Sequence, residues 1–338
     1  MKTLKLFFYL ICFSLAFAAC GGDDDNGSSG SGKSGDQPGG DTNPNVPSAS
    51  NTNANDPSKQ NSLVAPYVNN LEFPHVKDGS SNYLIVHIAQ GIGLNNSTEW
   101  DINKHSQRWT CFSWHAGNSD SSTKRKPKDT SGKEFSEYPN DPSLPSQYHF
   151  TVDPYWGSGF DHGHIMASAD RSYAYNETAN CQTFYMTNMQ PQVNGFNAGV
   201  WSNMENQARK WNNSNFREIL YVCKGGTIDS EEYLGYVDGS GNYVDRKYIG
   251  SGNNRIPVPK YFYMAFLCKK PASQGGGYEA AAFWIEHKVS YDENLLKYLI
   301  SIDELEQKTG IDFFCNLPDK TEELVEKTVG SSFRAGLK

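Results

Sequence analysis

The sequence has no basic excess, no paired cysteine motif and no apolar run of membrane-spanning length. Against 38 Asp and Glu stand 30 Lys and Arg, a formal net charge of −8, of which about −6 falls on residues 63–338. That balance argues against binding nucleic acid by bulk electrostatics and leaves open a local basic site. None of the seven cysteines lies in a CxxC pair, so a zinc site built on cysteine is not expected. The longest apolar run, LFFYLICFSLAFAA at residues 6–19, falls short of the roughly 20 residues that a bilayer-spanning helix needs. Residues 21–61 lack nearly all apolar side chains and cannot bury a core. No internal repeat is visible.

What is present begins with Lys2 and Lys5 ahead of that short apolar run, the pattern of a secretory leader. It ends in Ala18-Ala19-Cys20, which resembles a bacterial lipoprotein signal over residues 1–19 with Cys20 as the lipidated residue. Asp23-Asp24-Asp25 is similar to the signals that carry some lipoproteins of Gram-negative bacteria outward. The expectation is an exported protein, lipid-anchored to the outer membrane through Cys20, with the cell surface as one destination. Residues 20–62 read as a disordered polar tether and residues 63–338 as the folded domain. The domain holds Cys111, Cys181, Cys223, Cys268 and Cys315, an odd number that allows at most two disulfides.

Within the domain, residues 82–89, 108–116, 181–186, 220–227, 261–269 and 278–289 are rich in β-branched and aromatic residues and predict strands. Residues 197–211 carry Val200, Trp201, Met204 and Ala208 at helical spacing. The stretch YVDGSGNYVDR reads as a hairpin; it imitates a calcium loop, but the twelfth position counted from Asp238 is Ile249 rather than a glutamate. Ser301-Ile302-Asp303-Glu304 is a capping box opening a short helix, and a further helix is expected over 320–329. The polar stretch 117–147, with Lys124, Arg125, Lys126 and Lys128, predicts a long loop. The fold class is α+β, with a mixed or antiparallel sheet and flanking helices.

The chemistry centres on Asp161-His162-Gly163-His164. By itself DHGH fits a metal site on both histidines, which is expected to need a bent loop. It also fits a solvated polar loop, or one histidine serving as general base beside a metal held elsewhere. Two further pieces follow in order: Asn188-Met189-Gln190-Pro191-Gln192, then Asn197, Trp201, Glu205 and Arg209 four residues apart along the expected helix. Asn197 can offer a neutral carbonyl oxygen to a hard cation, and Glu205, two turns on, can hold that ion's waters. Trp201 reads as core packing.

Together these motifs resemble the DNA/RNA non-specific endonucleases, the ββα-metal or His-Me finger nucleases that include the endonuclease G type. The likeness covers roughly residues 75–320 and includes RWTCFSW and IDELEQKTGIDFFCNLPD. It implies a Mg²⁺-dependent nuclease core, with Mn²⁺ as a substitute ion and with DNA and RNA as substrates. It further implies His164 as general base, Asn197 as metal ligand with Glu205 behind it, and an upstream phosphate-bracing arginine, for which Arg125 is the candidate. Asp161, Asn188, Gln192 and Arg209 become substrate-contacting or supporting residues. One departure is clear: His162 stands where the family pattern has arginine, and a histidine cannot offer the bidentate charged fork. Two rival readings remain. One is a zinc hydrolase using His162, His164 and Asp170 as ligands; the other is a lipid-anchored binding protein on an inactive nuclease scaffold.

Overall fold

The computed structural model describes residues 50–120, 122–128 and 137–337, all within one compact unit that begins at Ser48. Its centre is a seven-stranded sheet in which every neighbouring pair is antiparallel. Strands β1 (Asn82–Ala89), β2 (Gly93–Asp101) and β3 (Ser106–Trp114) are followed by the separate pair β4 (Asp161–His164) and β5 (Met189–Gln192). Next come β6 (Ile219–Gly226), the two-residue strands β7 to β10 (Tyr236–Val237, Tyr243–Val244, Tyr248–Ile249, Ile256–Pro257), and β11 (Tyr261–Lys269), β12 (Tyr278–Glu286) and β13 (Leu299–Ile300). The spatial order of the main sheet is β1-β2-β3-β6-β11-β12-β13. The expected hairpin forms as β7 paired with β8.

Both faces of the sheet are buried, which the period-two pattern of β11 makes visible. Phe262, Met264, Phe266 and Cys268 enter one apolar core, while Tyr263, Ala265 and Leu267 enter the other. The first core takes the helix α2 (Ser202–Trp211) and α5 (Ser331–Ala335) through Trp201, Met204, Ala208, Trp211 and Phe333. The second takes α3 (Ile302–Thr309) and α4 (Asp319–Glu326) through Ile302, Leu305 and Val325, together with Val64, Val68 and Phe73. The DHGH segment, α2 and α5 therefore lie on one face, and α3, α4 and the domain's first described residues on the other.

Three expectations change. Residues 181–186 are not a strand: α1 (Glu177–Gln182) occupies the start, capped by the Asn176 side chain, which accepts from Ala179 N at 2.9 Å. Local capping chemistry overrides the β-rich composition there. Strand β2 was absent from the expected set because GLNNSTEWD looks polar. Its Asn95, Asn96, Ser97, Thr98, Glu99 and Asp101 are all buried, and the side chains other than Ser97 bond to partners such as Ala179 O, His87, Thr110 and Arg108. The tether also ends earlier than residue 62. Asn55 is 5% exposed and donates to Val68 O and Pro74 O, and Asn51 donates to Cys315 O and Leu317 O, so this segment is strapped onto the domain. The five domain cysteines are all free thiols, Cys111 and Cys223 facing each other across β3 and β6. Among the described residues no helix is long and apolar enough to cross a membrane; Cys20 and the rest of the leader lie outside them.

Candidate active site

Strands β4 and β5 pair antiparallel, with Asp161 opposite Gln192 and His164 opposite Met189. Gly163 makes this approach possible, because a Cβ there would meet Gln192 Cγ at 2.5 Å and the Gln190 carbonyl at 2.6 Å. Asn188 fixes the ends: its Oδ1 accepts from Met166 N and its Nδ2 donates to Met166 O and Thr183 O. Asn188 is thus a buried brace rather than a substrate contact. Gln192, fully buried, is likewise packing behind Gly163.

After β5 the chain turns into a helix whose opening, Phe196–Trp201, is π-type and broken at Gly199 (φ −97°, ψ −113°) before α2 continues. A side chain at Gly199 would strike the Tyr291 ring, at 2.9 Å from Cζ. Asn197 therefore precedes a kink and does not climb one straight helix with Glu205 and Arg209, as their spacing predicted. Trp201 does more than fill the core: its Nε1 donates to the His164 carbonyl at 3.0 Å and ties α2 to β4.

These elements bound a cavity of about 310 Å³ lined by Arg125, Tyr138, Phe160, Asp161, His162, His164 and Asn197. His162 and His164, two apart on one strand, share a face, so no bent loop is needed. His164 Nε2 is buried and holds no hydrogen bond. The imidazole meets Phe184 edge-on at 5.0 Å, and burial, then Arg125 and His162, push its pKa down to about 3. Burial therefore favours the neutral imidazole. Asp161 orients Asn197: its Oδ2 accepts from Asn197 Nδ2 at 3.0 Å and from Asn194 Nδ2 at 3.0 Å. With Nδ2 so fixed, Asn197 Oδ1 holds no hydrogen bond among the described residues and is free to act as an acceptor in the cavity.

Arg125 reaches the cavity across Phe184, its guanidinium 4.3 Å from the ring, with donations to Tyr138 Oη at 3.2 Å and Ser168 Oγ at 3.4 Å. His162 is clasped between Tyr138 (centroids 3.9 Å apart) and Tyr155 (4.1 Å), its Nε2 3.1 Å from Asp153 Oδ2. Next to Tyr155 in sequence, Trp156 is 90% exposed.

Glu205 and Arg209 do not line this cavity. Asp170 is buried, with Arg209 Nη1 at 2.7 Å from one oxygen and Lys224 Nζ at 3.2 Å from the other. Despite burial, Lys224 and Arg209 hold the Asp170 carboxyl below the usual range. Glu205 sits 3.8 Å from Lys224, and its Oε1 is a buried acceptor with no hydrogen bond. Burial pushes it up to about 7 against the pull of Lys224. A neutral amide oxygen in the cavity and an unbonded carboxylate behind it fit a hydrated hard cation. They do not fit zinc: His162 is bonded to Asp153 and Asp170 to two cations, and among the described residues no His/Cys/Asp/Glu triad with metal spacing forms here. Reading the sequence alone missed Tyr138, Asp153, Tyr155, Phe184 and Lys224. For Asp153 and Tyr155 a signal existed, the aromatic run DPYW shortly before DHGH; a lysine inside an apolar strand gives none.

Comparison with known proteins agrees with this geometry. Mitochondrial endonuclease G of Homo sapiens is 29% identical over 198 residues, covering 58% of this chain and 62% of that protein. A nuclease of Nostoc sp. is 29% identical over 258 residues, 73% of this chain and 79% of that protein. The chain thus spans about three-fifths of its mitochondrial relative. A solved structure of the EndoG/EndoGI complex shares the fold at TM-score 0.54 and 21% identity, covering 70% of this chain and 88% of that one. The profile described as DNA/RNA non-specific endonuclease matches residues 89–320, and with two-thirds of its length so matched the chain belongs to that family.

Proposed function

We propose that the protein is a Mg²⁺-dependent endonuclease that hydrolyses phosphodiester bonds of DNA and RNA, with His164 as general base. The observation that carries this is one cavity gathering a neutral, unbonded imidazole nitrogen, an oriented amide oxygen and an arginine. His164 Nε2 takes a proton from water as that water attacks phosphorus, and Arg125 pairs with a non-bridging phosphate oxygen. Asn197 Oδ1 would hold the divalent ion, with Glu205 toward its waters. When bound, that ion supplies neutralisation of charge on the phosphate and the leaving 3′ oxygen. An incoming phosphate diester, being anionic, would raise the proton affinity of His164 toward the range a general base needs. The exposed Trp156, next in sequence to Tyr155, offers a face on which any unpaired base can stack.

Cleavage of plasmid and of RNA, with Mg²⁺, with Mn²⁺ and with EDTA, tests the reading. His164→Ala is expected to lower the rate about 10²- to 10⁴-fold with the fold intact; full activity in that variant overturns the mechanism. Trp156→Ala is expected to weaken binding of an unpaired oligonucleotide by about 1–3 kcal/mol, read by titration in the His164→Ala background. Unchanged affinity removes the stacking role.

A further inference from the structure

On the face of the sheet opposite the active site, α3 and α4 bring together acids that nothing neutralises. Asp303 and Glu306 lie one turn apart on α3, and Glu326 is the last residue of α4. Each directs one carboxylate oxygen to a common point, all three oxygens within 4.8 Å of one another. Glu326 is 6% exposed, and its Oε1 is buried with no hydrogen-bond partner. Two more acids stand alongside: Asp312 and Glu322 both accept from Asn53 Nδ2, at 3.0 and 2.9 Å. Among the described residues no lysine or arginine forms an ion pair with any of the five.

Burying carboxylates in this way is costly unless they are protonated or share a cation. Burial and mutual repulsion push Glu326 up to about 10, Glu306 to about 8 and Glu322 to about 7. An all-oxygen, all-carboxylate donor set excludes soft-ligand metals and favours a hard one. Opposite ligands of Ca²⁺ stand about 5 Å apart and those of Mg²⁺ about 4 Å, and Ca²⁺ accepts irregular geometry. We propose that Asp303, Glu306 and Glu326 form a structural Ca²⁺ site, completed by water and surrounded by Asp312 and Glu322.

The site links α3 to α4 and, through Asn53, to the strap formed by residues 51–55. Filling it fastens the point at which the N-terminal segment joins the domain. The export expected from residues 1–20 would place it where modules with Kd of about 10⁻⁴–10⁻³ M are filled.

The test is thermal unfolding of the full-length protein, stripped with EDTA and titrated with CaCl₂ at pH 8. The wild type is expected to gain roughly 5–10 °C at about 100 times Kd. Asn197→Ala, which removes the ligand of the catalytic cavity, is expected to keep that gain. Asp303→Asn and Glu326→Gln are expected to lose most of it while remaining folded in EDTA, since each removes a charge from the cluster. The proposal is overturned if wild type shows no Ca²⁺-dependent gain, if Asn197→Ala abolishes it, or if Asp303→Asn and Glu326→Gln both retain it.

Discussion

Two groups of buried carboxylates lie on opposite faces of the same sheet, and they are handled in opposite ways. Behind the active site, Asp170 is gripped by Lys224 and Arg209, and it stays below the usual carboxylate range although fully enclosed. Under α3 and α4, Glu306, Glu322 and Glu326 have no such partner and are all raised. Burial is the largest cause in both groups, so the difference is made by two cationic side chains. Glu205 falls between, near Lys224 but not bonded to it, and is raised to about 7. Compensation by the protein's own cations fixes Asp170 as part of the scaffold, while incomplete compensation leaves Glu205 able to respond to an ion.

The largest expected effect comes from removing the compensation. Lys224 is wholly buried, and Lys224→Met leaves Asp170 and Glu205 without their shared cation. Breaking such a pair is expected to cost about 3–5 kcal/mol in denaturant-unfolding experiments. Asp170→Asn in the Lys224→Met background should restore part of the loss. Destabilisation below about 1 kcal/mol would mean that the network is not ionic.

How much of this was legible in the sequence divides along the same line. The motifs that line the cavity, from Asp161 to His164 and Asn197, stand in a local order that the chain displays directly, and the cavity unites them with Arg125. Lys224 was not legible, since its partners are 54 and 19 positions away and only the packing of β6 against α2 brings them near. Nor were the polar strand β2 or the early end of the tether. In both, side-chain hydrogen bonds to distant backbone replace the apolar pattern that a sequence reader relies on. Asp303, Glu306, Glu322 and Glu326 sit on two helices that the capping box at Ser301 and the stretch 320–329 announced, yet their convergence depends on how those helices pack.

A smaller effect separates the two groups by pH. An acid whose pKa is raised on folding contributes most below its unfolded value and loses that contribution as pH rises through the folded one. For Glu322, Glu306 and Glu326 this window runs from the ordinary glutamate value of 4.5 up to about 10. Asp170, being lowered, works in the other direction, and its contribution is lost only as pH falls below the ordinary carboxylate range. Melting temperatures in EDTA are therefore expected to fall steadily from pH 6 to pH 9. Glu326→Gln should flatten that slope, while Asp170→Asn should lower stability without flattening it. A wild-type profile that is level across this range contradicts the assignment of the far cluster as uncompensated.

The smallest effect concerns a third carboxylate, Asp153, whose partner is the histidine that departs from the family pattern. Here the partner is a ring that offers Asp153 a single nitrogen, whereas a guanidinium would offer a charged fork. The His162 ring is held in place by Tyr138 and Tyr155, with Nε2 turned to Asp153 and the ring still lining the cavity. In His162→Arg, part of the guanidinium fork would satisfy Asp153, and the remaining N–H groups would be available to a phosphate oxygen in the cavity. The stacking between the two tyrosines suits a flat guanidinium as well as an imidazole, so the fold should tolerate the change. Activity of His162→Arg relative to wild type is therefore expected to rise, several-fold at most. Because Asp153 takes much of the added charge, Asp153→Asn combined with His162→Arg should widen the gain. Identical activities for wild type and His162→Arg, in both the Asp153 and the Asn backgrounds, would show that position 162 supports the wall of the cavity and does not touch phosphate.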